Sequence, residues 1–457
     1  MVLPHKFPTQ IELAHVTELR NYRKLYELKQ KAVLGLHDKI VKEYKNERDI
    51  VYIAHAIPSR VADFYGDFVQ GDETRLIIAP PNDSETSLYE QIIFENDLVE
   101  KVYDMGVEQS EFGYFILHTY LDDQGVPRID LVPQDTFFPQ PDGSVVIATY
   151  RAIEGVTSEF AVLTQHYMVV NGNVQIERKA WRANNTGVIF SEIPLAEMEK
   201  LLGKELLPTA TIQNLDELPF TVGHNGRKQF NGYGKSDFFD ILPNLAEVNE
   251  RATHVSTQLL KNLSARLILP ASKGLVDEKG NAIDWDVLVV DGKDNIDPKY
   301  LTNSNPLIPE TMEFIMYQLR HISWVTGVPM FELIASGAPE RVESMRIRLY
   351  SAVRKTNTKR SKVKRALKDA LRIATKLKGM KVTDDANIEM SDVLPIDELV
   401  EAQVEETKVR AGLTSRRSAI MRLNNLTEEE AEEEMKQIAT EDRVAGVVGA
   451  PENAPTL

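Results

Sequence analysis

Gly234-Lys235-Ser236 ends as a phosphate-binding loop ends, with a lysine and a hydroxyl placed to meet phosphate oxygens. Such a loop needs a glycine five positions before Gly234, where Gln229 stands, and this argues against nucleotide hydrolysis. Asp284, Asp286 and Asp291 offer carboxylate oxygens, the donors that hard divalent cations take and that a metal-dependent nuclease would use. They alternate with Trp285, Val287 and Val289, a pattern that reads better as a strand with a solvated acidic face. None of the nine histidines approaches another at helical metal-ligand spacing; His5, His15 and His321 beside Trp324 read as surface or packing residues. The absence of cysteine removes disulfides, thiolate ligands and thiol nucleophiles, and fits a reducing compartment. No Gly-x-Ser-x-Gly elbow is present. The expectation is no catalysis, no cofactor and no resident metal.

The elements that would position these residues differ along the chain. A length of 457 residues suggests about three domains, and 42% hydrophobic against 27% charged residues leaves ample material for packed cores. Residues 1–20 lack the apolar core of a signal peptide and no run is long enough for a transmembrane helix, so no membrane contact is expected. Residues 1–240 read as mixed α and β. Arg20 to Tyr44 and Ser87 to Gly106 are predicted helices, the first with the stripe Leu19, Tyr22, Leu25 and Leu28. Tyr114 to Leu121 and Arg128 to Val132 form a predicted hairpin. Ser144 to Ile153, Glu159 to Val170 and Val174 to Trp181 continue an antiparallel sheet, with Asn171-Gly172 as a turn.

From Asn244 the pattern changes. Leu245, Val248, Ala252, Val255 and Leu259 recur at spacings of three and four, a narrow seam on one long helix. Glu310 to Thr326 repeats it with Met312, Ile315, Met316, Leu319, Ile322 and Val325, and the two suggest an antiparallel pair bracketing an acidic insertion, Ser264 to Pro309. After Gly327-Val328-Pro329 comes a small, flexible stretch, Ala335-Ser336-Gly337-Ala338-Pro339. The region from Arg341 to Lys378 then carries fourteen bases against only Glu343 and Asp369, a basic helix closed by Gly379. Asp397 to Ala411, Thr414 to Leu423 and a helix opened by a Thr427 to Glu430 capping box form an acidic helical module, and 445–457 reads as a frayed tail. The net charge, 53 − 69 = −16, argues against sequence-independent clamping of DNA.

Six short motifs in order make the chain resemble the portal proteins, or head–tail connectors, of tailed bacteriophages. They are Arg20-Asn21-Tyr22-Arg23-Lys24-Leu25-Tyr26, Ala54-His55-Ala56-Ile57-Pro58 leading to Phe68-Val69-Gln70-Gly71, Leu131-Val132-Pro133-Gln134-Asp135, Gly232-Tyr233-Gly234-Lys235-Ser236-Asp237, Gly327-Val328-Pro329 and Gly412-Leu413-Thr414-Ser415-Arg416. The fourth resembles a portal pattern of tyrosine, glycine, any residue, serine and aspartate ahead of a long helix.

The resemblance implies a multidomain α+β portal fold: a mixed α/β wing (1–240 and 345–393), an antiparallel helical stem (241–263 and 310–326), a small α/β clip (264–309), a tunnel-loop region (327–344) and a helical crown (394–444). It further implies a homo-oligomeric ring, usually of twelve subunits in the virion, at one capsid vertex. Double-stranded DNA would pass through it during packaging and ejection. The partners implied are the terminase large subunit, a head-completion adaptor and the major capsid or scaffolding protein, with assembly in the bacterial host cytoplasm.

On this mapping Glu332, Ala335, Ser336, Gly337, Ala338, Pro339 and Glu340 would line the channel. Asp277, Glu278, Asp284, Trp285, Asp286, Asp291 and Asp294 would dock terminase or adaptor, and Leu245, Val248, Val255 and Leu259 would pack subunits. An acidic clip and crown would repel the duplex and keep it centred, since each phosphate-touching base adds affinity that slows sliding. The basic helix, 341–378, would either contact DNA or sit buried against acidic neighbours in the ring. The other readings are an assembly adaptor without a channel, and a nuclease using Asp284, Asp286 and Asp291.

Overall fold

The computed structural model describes residues 8–35, 40, 50–71, 77–79, 86–153, 156–184, 187–226, 233–262, 266–270, 287–290, 299–301, 307–329, 349–380, 386–390, 398–424 and 431–438. The chain divides into two units, residues 1–339 with 347–393, and residues 340–346 with 394–457.

In the first unit, α1 (Gln10–Tyr26) opens with a capping box. Thr9 Oγ1 accepts from the Glu12 amide at 3.3 Å, and the Glu12 carboxylate accepts from the Thr9 amide at 2.6 Å. The helix therefore begins ten residues before the predicted Arg20, and it ends at Tyr26 rather than Tyr44, because Leu28 takes a left-handed φ of 61°. A short α2 (Gln30–Leu34) follows, then α3 (Ile57–Gln70).

The predicted helix from Ser87 to Gly106 is two helices, α4 (Thr86–Glu95) and α5 (Leu98–Glu111). Asn96 breaks it: its amide donates to Ile92 O and Pro127 O at 2.8 and 3.0 Å and its oxygen accepts from the Ile129 amide at 2.7 Å. A side chain serving three backbone groups competes with the helical ladder.

The predicted hairpins are present. β2 (Tyr114–Leu121) and β3 (Pro127–Leu131) pair antiparallel, and β10 (Phe220–His224) adds to the other edge of β2. A second sheet runs β4 (Phe137–Pro139), β5 (Val145–Ile153), β6 (Val156–Val170) and β7 (Asn173–Asn184). β8 (Ile189–Ile193) and β9 (Thr209–Ile212) share the far edge of β7, one at each end. The β6–β7 turn is Asn171-Gly172, both with positive φ (51° and 76°), as a two-residue hairpin of this twist requires. Between β8 and β9 lies α6 (Leu195–Leu202).

α7 (Leu242–Asn262) and α8 (Leu307–Thr326) form the antiparallel pair: Asn244 Nδ2 donates to Gln318 Oε1 at 2.6 Å, and one helical stretch onward Arg251 lies over the Phe314 ring at 5.7 Å. Leu245 and Val248 join Ile315, Leu319 and Ile322 in the principal core, which also takes Leu19, Tyr22 and Leu25 from α1. Val255 is 9% exposed, but Leu259 is 47% exposed and Met312 47%, so the packed seam is shorter than its sequence pattern. Between the two helices the described residues are β11 (Arg266–Pro270), β12 (Val287–Val290) and β13 (Lys299–Leu301), with β12 parallel and β13 antiparallel to β11.

α9 (Tyr350–Leu377) lies across β3-β2-β10, burying Val363, Leu367 and Leu371 against Leu117 and Ile129, and ends before Gly379 (φ 74°). β14 (Asn387–Glu389) pairs with β1 (Ile77–Ala79). The second unit contains α10 (Glu398–Arg410), α11 (Arg416–Asn424) and a helical stretch at 431–438.

Candidate functional site

The motif ending in Asp237 is where four parts of the first unit meet. Gly234 runs so close to Gly113 that an added Cβ would come within 1.7 Å of Gly113 O, and only glycine admits that approach. Tyr233 is fixed by His15, whose ring stacks on it at 3.7 Å between centroids while His15 Nε2 shares a 3.0 Å hydrogen bond with Tyr114 OH. Ser236 Oγ donates to Glu111 O at 2.5 Å and accepts from the Phe238 amide at 3.0 Å. Lys235 turns outward to Asp240 at 2.6 Å. The lysine and serine that resemble a phosphate loop are thus committed to local contacts.

Asp237 is the centre. Its carboxylate pairs with Lys355 at 2.8 Å and Lys359 at 2.9 Å, and accepts from Ser110 Oγ and Asn225 Nδ2, both at 2.8 Å. Burial alone would raise its pKa. The two ammonium groups and the hydrogen bonds outweigh burial and hold it well below the usual carboxylate range. Burial pushes Lys359 down, opposed chiefly by Asp237. The ring of Tyr65 completes the enclosure, 4.6 Å from Lys359 Nζ and 5.2 Å from Lys355 Nζ. Tyr65 OH donates to Thr326 O at 2.6 Å and Lys355 Nζ donates to the same oxygen at 3.2 Å. The last turn of α8 is therefore capped by a hydroxyl and a cation, where its carbonyls lack helical partners. Gly327, with φ 79°, then turns the chain away.

A second junction holds α7. Residues 50–55 run alongside it, and the amides of Val51, Ile53 and His55 donate to the side chains of Thr257, Thr253 and Asn249, each at 3.1 Å. Two residues of extended chain advance about 6.6 Å and four of helix about 6.0 Å, so alternate amides meet successive turns. Gln30 closes the ladder: Asn249 donates to it, and its own amide donates to His55 O at 2.8 Å.

Among the described residues no group of His, Asp and Glu could hold a metal ion. The expected channel residues Glu332, Ala335, Ser336, Gly337, Ala338, Pro339 and Glu340 lie outside the described residues. So do Asp277, Glu278, Asp284, Trp285, Asp286, Asp291 and Asp294 of the expected docking segment. Of the residues expected to pack subunits, Leu245 and Val248 are buried in this chain's own core, Val255 is nearly buried, and Leu259 is exposed.

The sequence reading found Asp237 but missed Lys355, Lys359 and the ladder. A signal existed for Lys359, which falls on the inward stripe of Ala352, Thr356 and Val363. Asn249, Thr253 and Thr257 likewise repeat every fourth residue beside the apolar seam.

The arrangement as a whole is a helical hairpin, α7 with α8, held at the last turn of α8 to a mixed sheet-and-helix body. The family model described as phage portal protein, SPP1 Gp6-like, matches residues 5–446, and the chain belongs to that family. Solved structures similar to the chain include parts of gene transfer agent (GTA) particles. The neck of the empty particle computed with C6 symmetry aligns with a TM-score of 0.47 at 13% identity, covering 82% of this chain and 92% of that one. The virion of the native particle gives 0.43 at 14%, covering 81% and 90%, and the native neck computed with C12 symmetry gives 0.43 at 14%, covering 80% and 89%. No curated protein matches the chain.

Proposed function

We propose that copies of this chain close into a ring, twelve in the virion, forming the channel at one capsid vertex through which double-stranded DNA is packaged and ejected. The family match over residues 5–446 carries this reading. The geometry supports it. α7 and α8 make a pair about 30 Å long, and α8 turns Tyr317 and Trp324, 62% and 79% exposed, away from its own core, an apolar surface suited to neighbouring copies.

In this reading 1–240 and 345–393 are wing, 241–263 and 310–326 stem, 264–309 the clip that docks the terminase large subunit and later the head-completion adaptor, 327–344 the tunnel-loop region, and 394–444 the crown. The ring would be assembled in the host cytoplasm and retained in the virion, and its role is steric and mechanical, not catalytic.

Negative-stain images of the purified protein test the reading. Rings with a central hole support it; solid oligomers favour an assembly adaptor without a channel. Magnesium-dependent DNA cleavage lost in Asp284→Asn would favour the nuclease. Ser336→Trp rings should assemble normally by native mass spectrometry yet protect less genome from DNase; normal packaging would move the constriction elsewhere.

A further inference from the structure

The outer face of α9 carries Arg354, Lys362, Lys364, Arg365 and Lys368. Among the described residues only Arg365 meets a carboxylate, Asp369 at 4.0 Å, with the arginine side chain 80% exposed. The inner face lies on α3, where Lys359 sits over Tyr65 and Arg360 Nε donates to Phe68 O and Val69 O at 3.1 and 3.0 Å.

On α3 the residues that meet α9 are Tyr65 and Val69. Asp63 and Asp67 stand two positions before them, about 200° around the helix. They face away from α9, on the side of Asp104 of α5, which packs on α3 through Gly66 and Gly106, and Glu100 stands one turn before Asp104 on α5. Asp67, Glu100 and Asp104 are exposed. Partial burial and then the carboxylates of Asp63, Asp67 and Asp104 raise the Tyr103 phenol, so three acids converge on one ring. Burial and then Asp63 raise the Asp67 carboxyl, with Arg60 opposing them.

Two faces of opposite sign therefore look in opposite directions across a layer of packed helices. Within one chain they cannot meet. A head-to-tail repeat of identical copies brings one against the other at every step, which is the interface a closed ring needs. We infer that the outer face of α9 docks on the Asp67, Glu100 and Asp104 surface of a second copy of this chain, and that this contact sets the direction of assembly. The inference rests on the ring reading and adds which surfaces meet. Double-stranded DNA is the other polyanion available to the basic face, and the test separates it.

Two full-length variants decide the matter. One reverses the basic face (Arg354→Glu, Lys362→Glu, Arg365→Glu) and the other the acidic face (Asp67→Lys, Glu100→Lys, Asp104→Lys). All six positions lie at the surface, and circular dichroism melting checks that each variant folds. Native mass spectrometry should find each variant at least tenfold depleted in rings relative to wild type, and the equimolar mixture should recover rings in which the two alternate. Wild-type rings should dissociate as salt rises from 0.1 to 1 M, because screening shortens the reach of surface charges. Rings from either variant alone, or a folded mixture that stays monomeric, would overturn the pairing. Basic-face variant rings that assemble fully but retain less packaged DNA would assign that face to DNA. A wild-type chain without rings would instead remove the ring reading itself, and the pairing with it.

Discussion

The two faces of α9 carry the same residue types and meet opposite fates. Inward, Lys355 and Lys359 are held by one aspartate and Arg360 by two backbone carbonyls. Outward, Arg354 and Arg365 are exposed and Lys362, Lys364 and Lys368 half-buried, while farther along Arg372 and Lys376 meet Glu217 at 2.8 and 2.7 Å. A desolvated cation must have a fixed partner in its own chain, whereas a solvated one costs little to leave open. The inner face is thus part of the fold and the outer face is available to another molecule.

The comparison breaks most readily at Asp237. Asp237→Ala leaves two lysines facing an apolar enclosure and should cost about 3–5 kcal/mol in urea unfolding. Adding Lys359→Met should recover part of the loss, because removing both charges costs less than orphaning one. A loss below about 1 kcal/mol would mean that the cations find water and the inner face is not sealed.

The ladder on α7 comes next. Thr253→Val keeps the shape but leaves the Ile53 amide without its acceptor, at about 1–3 kcal/mol, and hydrogen exchange should quicken across 50–56 before the rest of α7 responds. Uniform exchange would show that the segment is held by apolar contact instead.

Glu108 supplies a pH dependence of similar or smaller size. Burial pushes its carboxyl up to about 8, opposed by the 2.7 Å hydrogen bond from Gln134 and by Arg23, and reinforced by Glu111 and Asp104. A raised carboxyl binds its proton more tightly in the folded state. Its stabilisation is complete below about 4.5 and is lost as pH rises through about 8. Melting temperature should therefore fall between pH 5 and 8, and Glu108→Gln should flatten the profile. An unchanged slope in the variant would place the titration elsewhere.

The smallest effect belongs to the outer face. Arg354→Glu with Arg365→Glu should leave unfolding of the isolated chain within about 0.5 kcal/mol of wild type. A larger loss would put these residues in the fold with their inward neighbours.

Local rules made much of this architecture legible. Alternation and Asn171-Gly172 located the β6–β7 hairpin because both depend only on neighbouring residues. The seam on α7 was visible in the same way, but periodicity tells which face is apolar and not how far α8 reaches along it, so Leu245 and Val248 enter the chain's own core and Leu259 stays exposed. Two helix boundaries were misplaced because single side chains set them, Thr9 with Glu12 at the start of α1 and Asn96 between α4 and α5. The Asp237 site was half legible. Its motif stands out in sequence, yet its cations come from a helix more than a hundred residues later, a pairing no local pattern encodes.

The central claim, that this family member closes into a channel, is met most directly by a cryo-electron microscopy reconstruction of the purified full-length protein. The account predicts a closed ring with an open centre, each copy turning the outer face of α9 toward the acidic surface of the next. A monomer, an open filament or an oligomer with a filled centre would contradict it.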